Sequence, residues 1–159
     1  VKKIVLLNSS KKSAFQTLLE RQYGAEDFSD KVLIQAGEGK IRLTTSDTIK
    51  VAEKMRGVQS LGLYIAKIEG QEVVLSIEGS QILCNRITRN RIELTEEQAK
   101  LWMGGAPIQL DKFTAVKYVV AFYKHLCLGC GRVSADGKVY PQVPKWRRLQ
   151  QEQLRTGFT

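Results

Sequence analysis

Proline is scarce in this 159-residue chain, with three residues; histidine occurs once and cysteine three times. One histidine, and no paired carboxylates in a cleft-like pattern, leave hydrolytic chemistry without candidates. Three cysteines, Cys84, Cys127 and Cys130, are an odd number and do not make a disulfide framework. Their count is that expected of a reducing compartment. No apolar run approaches the roughly 18 residues needed to span a bilayer. The opening Val1-Lys2-Lys3-Ile4-Val5-Leu6-Leu7 has a basic start, but its apolar stretch is too short for a signal peptide and no small-residue cleavage site follows. It reads as a first strand, and the expected location is the cytoplasm.

What the chain does have is positive charge. Lys and Arg number 25 against 16 Asp and Glu, for a net +9 and a pI near 9.6. The surplus is uneven: residues 1–75 carry +3 and residues 76–159 carry +6. Such an excess favours polyanions, because each phosphate neutralised releases condensed counterions. An anionic membrane is the weaker candidate, since no basic amphipathic helix is present to dock on it. An apolar fraction of 43% and a charged fraction of 26% are ordinary for a globular protein and argue against disorder.

Strand and helix signals alternate in the first half. Phe15, Leu18, Leu19 and Tyr23 share one helical face, with Gly24 as the stop. Lys31 to Ile34 and Lys40 to Leu43 read as strands around Gly37-Glu38-Gly39. A third glycine and a following helix are missing there, so a turn is expected rather than a nucleotide loop. Asp47 is the expected N-cap of a helix over 48–56 that Gly57 ends. Leu61 to Ile68 and Glu72 to Ile77 flank Glu69-Gly70-Gln71 as a hairpin. Composition shifts near Ser76 to Ser80, and Gln81 to Arg91 reads as basic and irregular. Arg91 to Glu93 is a short strand. Thr95-Glu96-Glu97-Gln98 is a capping box opening a helix that carries Trp102 toward the core and stops at Gly104-Gly105. Val116 to Tyr123 and Leu126 to Val133 are strand-like, and Asp136-Gly137 marks a hairpin. Gln150 to Thr159 is a helical, then fraying, tail.

From Arg91 to Leu149 the order is strand, capped helix ending in Met103-Gly104-Gly105, then a strand bearing Cys127-Leu128-Gly129-Cys130-Gly131-Arg132-Val133. A turn follows, and the stretch closes on Val143-Pro144-Lys145-Trp146-Arg147-Arg148-Leu149. This resembles the PUA domain, a small pseudo-barrel of RNA-modifying enzymes and ribosome-assembly factors. The variant it is most similar to is the PUA-like C-terminal domain of Sun/Fmu-type rRNA cytosine methyltransferases. Gly39-Lys40-Ile41-Arg42 and Gly62-Leu63-Tyr64-Ile65-Ala66-Lys67 resemble the pre-domain of small archaeal stand-alone proteins that carry it. Pro141 and Trp146 depart from the usual pattern. The resemblance implies an α+β protein: a small α/β pre-PUA domain over 1–76, a PUA-like β pseudo-barrel over 77–150, and a tail over 151–159. Enzymes of the Sun type place a catalytic cysteine after proline. Here Pro107, Pro141 and Pro144 precede Ile108, Gln142 and Lys145, so that element is missing and neither catalysis nor a cofactor is expected.

Lys145-Trp146-Arg147-Arg148 is the leading binding candidate. Arginine's planar fork suits phosphate, lysine adds a mobile charge, and tryptophan can stack on an unpaired base. The competing reading packs Trp146 on the barrel and leaves the arginines as a solvated face. Read as a strand, the segment sends Lys145 and Arg147 to one side, Trp146 and Arg148 to the other. The resemblance adds Lys100, Gly104 and Gly105, from the helix and loop that line the RNA groove of PUA domains, and counts Arg132 with them. For the glycines, a plain helix C-cap stands beside that reading. Arg86 and Arg89 extend the basic surface or are an ordinary solvated loop. Cys127-x-x-Cys130, with Cys84 and His125, raises a zinc half-site. On a strand, however, residues three apart face opposite ways, so buried free thiols are expected, and no metal.

The function these observations imply is RNA binding, with rRNA or tRNA as partner, as an accessory factor in RNA modification or ribosome assembly. A separate RNA-modifying enzyme or assembly factor is a further expected partner. The alternative is a protein-interaction adaptor in an RNA-processing complex, docking through the α/β half without direct RNA contact.

Overall fold

Residues 4–25, 28, 30–112 and 115–155 are described by a computed structural model. The first three residues of the expected opening strand, and the tail from 156 to 159, lie outside the described residues. Strand β1 (Ile4–Leu6) leads into helix α1 (Ser9–Tyr23), whose N-cap Asn8 accepts from the Lys11 amide at 2.9 Å. Gly24 ends α1 in the left-handed conformation, as read from sequence. Phe15, Leu19 and Tyr23, at helical spacing, are its buried stripe. A meander follows: β2 (Val32–Ala36), β3 (Lys40–Thr44), β4 (Leu63–Glu69) and β5 (Glu72–Leu75), giving an antiparallel sheet ordered β1-β2-β3-β4-β5. Helix α2 (Ser46–Glu53) is inserted between β3 and β4. Its N-cap is Thr45 rather than Asp47, and Asp47 sits inside the first turn, where a carboxylate favours the positive end of the helix.

At Ser76 the chain passes from the first sheet to the second. Helix α3 (Ile77–Leu83) begins at the composition shift and, with a 3-10 turn (Cys84–Arg86), continues into the stretch from Gln81 that was expected to be irregular. Ser76 caps α3 by accepting from the Gly79 amide at 3.0 Å. A side chain at Gly79 would overlap the Ile65 carbonyl, so a small residue lets α3 lie against β4. The second sheet contains β6 (Arg91–Glu93), β7 (Ile108–Gln109), β8 (Tyr118–Tyr123), β9 (Leu126–Val133) and β10 (Lys138–Pro141). Its order is β6-β8-β9-β10-β7, parallel only between β6 and β8, and it curls into a half-barrel. Helix α4 (Glu96–Met103) has the full capping box: Thr95 accepts from the Gln98 amide and the Gln98 side chain accepts from the Thr95 amide. A last helix, α5 (Gln151–Arg155), closes the described chain. The architecture is α+β with a PUA-like pseudo-barrel in the C-terminal part.

Both faces of the second sheet are buried, which explains why Tyr-Val-Val-Ala-Phe-Tyr in β8 shows no polar alternation. Tyr118, Val120 and Phe122 join α1 and the first sheet in one core, while Val119 and Ala121 join Trp102, Ile108 and Val139 beneath α4. The free edge of β5 is closed by side chains. Gln22 donates to the Val73 carbonyl at 3.1 Å and accepts from its amide at 2.7 Å, imitating a neighbouring strand. The Leu75 amide points at the Cys130 sulfur at 3.1 Å.

The cysteines are not three free thiols. Cys84 and Cys127 form a disulfide that links the 3-10 turn after α3 to β9, and Cys130 alone is free and buried. A β-bulge is the cause. From Val120 to Phe122 strand β8 advances two residues, whereas β9 advances three, from Cys130 back to Cys127. The residues three apart therefore face the same core instead of opposite sides. Gly129 carries the bulge at φ +84°, a conformation other residues adopt only with strain. The backbone groups freed there are satisfied by side chains: Trp102 Nε1–H donates to the Leu128 carbonyl at 2.9 Å, and the Gly129 amide donates to Ser80 Oγ at 3.1 Å. A side chain at Gly131 would overlap the Trp102 ring. The Leu-Gly-x-Gly pattern is thus the imprint of a tryptophan docked on a bulge.

Candidate functional site

Pro144 decides the geometry of the basic segment. It lacks the amide hydrogen a sheet ladder needs, and after β10 the chain turns into a 3-10 turn, Lys145–Arg147, rather than the expected strand. Side chains therefore fan out instead of alternating. Lys145 is exposed, and Trp146 is 83% exposed, so the indole does not pack on the barrel. The Arg147 guanidinium lies 5.6 Å from the Trp146 ring centroid and is ion-paired with Glu78 at the start of α3.

Arg148 points elsewhere. Its Nε donates to the Val143 carbonyl at 3.2 Å, and its side chain covers Gly105. Gly105 is in the left-handed conformation at φ +79°, just past the α4 C-cap Gly104. The Leu149 amide donates to the Met103 carbonyl at 2.9 Å, fastening the segment to the end of α4. The space above Gly105 is thus filled by Arg148. Lys100, on α4, is paired with Glu96 at 3.0 Å.

Arg86, in the 3-10 turn after α3, and Arg89, two residues before β6, are both exposed. Arg89 donates to the Arg21 carbonyl at the end of α1 at 3.3 Å. The expected cations thus sit on different elements: Lys145, Trp146 and Arg147 together on the turn after β10; Arg148 over Gly105; Lys100 along α4; Arg86 and Arg89 in the segment between α3 and β6.

Beside Trp146 and Arg147 opens a cleft of about 580 Å³ between the first sheet and the segment after β10. The first sheet contributes Arg42 from β3 and Tyr64, Lys67 and Glu69 from β4; the other wall adds Gln142 and Pro144. Arg42 Nε donates to the Leu61 carbonyl at 2.7 Å and Nη2 to that of Gly62 at 2.7 Å, which fixes the plane of its guanidinium. Lys67 pairs with Glu69 at 2.7 Å, and the Tyr118 hydroxyl donates to the other Glu69 oxygen at 2.6 Å. The hydrogen bonds from Lys67 and Tyr118 hold the Glu69 carboxyl below its ordinary range, while the bond to Glu69 raises Lys67. Burial, then the bond to Glu69, pushes Tyr118 up to about 12. Arg132 lies in register between Tyr118 and Tyr140, and its charge acts on Tyr118 in the opposite sense. Arg132 itself is exposed, beside Tyr118 on the neighbouring strand, and does not line the cleft.

The contribution of the first sheet was not among the expected site residues. Arg42, Tyr64 and Lys67 lie in segments that drew attention only by resemblance, and only the packing of one sheet on the other brings them to Trp146. Among the described residues, no three His, Cys, Asp or Glu side chains are grouped to hold a metal, and no helix is long and apolar enough to cross a membrane.

Residues 89–149 match the family described as the methyltransferase RsmF PUA domain. The C-terminal part of the chain thus carries a PUA-like domain related to those of the Sun/Fmu-type enzymes. The match spans β6 to Leu149 and includes the tryptophan turn, the α4 end and Arg132; Arg86 falls outside it. No curated protein matches the chain.

Proposed function

With a PUA-like domain over residues 89–149 as the premise, we propose that this protein binds RNA, of the rRNA or tRNA class, as a non-catalytic factor in RNA modification or ribosome assembly. One observation carries the reading: an indole 83% exposed on a turn fastened at both ends, with Lys145 and Arg147 as immediate neighbours. A tryptophan in that setting contributes little to the core, and its stacking face lies beside cations suited to phosphate. The surplus of +9 acts in the same direction, by drawing a polyanion to the surface.

The test is the salt dependence of binding to a structured RNA. The logarithm of the affinity is expected to fall linearly with the logarithm of salt concentration. Replacing the exposed Lys145 with alanine is expected to reduce that slope by about one. An affinity independent of salt, or a slope unchanged by Lys145→Ala, refutes the assignment.

A second reading, an adaptor that docks proteins through the α/β half, is favoured by one specific feature. Ile4, Leu6, Ile34, Ile49 and Leu61 line an apolar hollow on the first sheet, and Leu6, Val51 and Met55 are exposed. A modifying enzyme or assembly factor is the partner it fits. Co-purification of such a protein, with no RNA retained at physiological salt, favours this reading over the first.

A further inference from the structure

We propose that the cleft between the two sheets holds one unpaired nucleotide of RNA, with its base on Trp146 and its phosphate at Arg42. The inference rests on the RNA-binding reading and adds the form of RNA selected. The cleft is lined by three cations, Arg42, Lys67 and Arg147, and two carboxylates, Glu69 and Glu78. Each carboxylate already holds a cation: Glu69 holds Lys67 and Glu78 holds Arg147. Arg42 has no acidic partner among the described residues, so it supplies the unbalanced charge. Its guanidinium is held in place by the Leu61 and Gly62 carbonyls through Nε and Nη2. The Nη1 side of the fork is left to donate outward. A cation whose orientation is already fixed gives up little freedom on binding an anion.

Trp146 offers its exposed ring at the lip, and the exposed Gln142 lines the same wall of the cleft. An anion, a planar ring and polar edges together describe a nucleotide. The nucleotide has to be unpaired, because a base engaged in a duplex cannot present its face to an indole. The Glu78–Arg147 pair sits where a second phosphate would pass. Opening that pair releases Arg147 toward the RNA, so Glu78 restrains binding.

The experiment compares a blunt RNA hairpin with the same hairpin carrying a short unpaired tail, using the full chain and fluorescence anisotropy. Wild type is expected to prefer the tailed RNA. Trp146→Ala is expected to lose about tenfold on the tailed RNA and little on the blunt one. Gln142→Glu places a carboxylate in the cleft at an exposed position and is expected to cost about fivefold on the tailed RNA alone. Glu78→Gln is expected to tighten the tailed complex about threefold, a gain that damage to the fold cannot produce. Equal affinity for the two RNAs, or a tailed complex indifferent to Gln142→Glu and Glu78→Gln, overturns the cleft assignment while leaving RNA binding intact. If wild type binds neither RNA, the proposed function fails, and the cleft assignment with it.

Discussion

Gly105 offers the sharpest test of how the basic segment is anchored. Its φ of +79° is unfavourable for alanine by roughly 1–2 kcal/mol. A methyl group there would also overlap the Arg148 side chain, which must then leave its half-buried bond to the Val143 carbonyl. A lost bond of that kind costs about 1 kcal/mol. Gly105→Ala is therefore expected to destabilise by about 2–3 kcal/mol and Arg148→Ala by about 1 kcal/mol. The two costs are not independent, because in the alanine variant Arg148 has already been displaced. The double variant is expected to match Gly105→Ala alone, giving a coupling energy of about 1 kcal/mol. Urea unfolding of the four proteins measures it. Strict additivity would falsify the placement of Arg148 over Gly105, and would reopen the idea that the glycine is bare so that a ligand backbone can approach.

Three further outcomes are expected. The unreduced, unfolded chain should contain one reactive thiol, Cys130, which in the folded protein is buried and pushed up to about 11, hence inert at neutral pH. Reduction of Cys84–Cys127, 43 residues apart, should lower stability by up to about 4 kcal/mol, and three titratable thiols in unreduced protein would show the bond absent. Glu69 has its carboxyl pKa depressed by Lys67 and Tyr118, so its stabilisation is present above the ordinary carboxylate range and is lost as pH falls through the depressed value. Glu69→Gln should thus be less stable than wild type at neutral pH and converge with it in acid; a gap that persists at low pH would assign the loss to shape rather than charge.

Local signals were readable and distant ones were not. Thr95 and Gln98 announced α4 because a capping box is complete within four residues. Helix α3 went unread, although Ser76 is a good cap, because Gly79 weakens its propensity; that glycine answers to the Ile65 carbonyl on β4, far along the chain. The cysteine spacing misled for a related reason. Alternation along β9 is broken at Gly129, and an isolated glycine in an apolar strand was the available hint of a bulge. At the site, residue chemistry singled out Lys145 to Arg148, and a strand reading already parted Arg147 from Arg148; the 3-10 turn after Pro144, which groups Lys145, Trp146 and Arg147, was not legible in the cation pattern. Arg42 and Lys67 sit on strands whose relation to residue 146 is set by sheet packing, which no local pattern encodes.

The burial of both faces of the second sheet constrains where a large ligand can lie. In a half-barrel with one open face, RNA can spread across the strands, and cations on both edges of the sheet can contribute. Here α1 and the first sheet cover one face and α4 covers the other, leaving only rims and the seam between the sheets. At the seam both halves of the chain contribute: β3 and β4 bring Arg42 and Lys67 to the cleft that Trp146 also lines. A PUA-like module without the first sheet would keep the tryptophan and lose the fixed guanidinium opposite it. The proposed selectivity for an unpaired nucleotide then depends on how the two sheets are joined, and the strut between them is α3, held against β4 by Gly79 and bonded to the β9 bulge through Ser80.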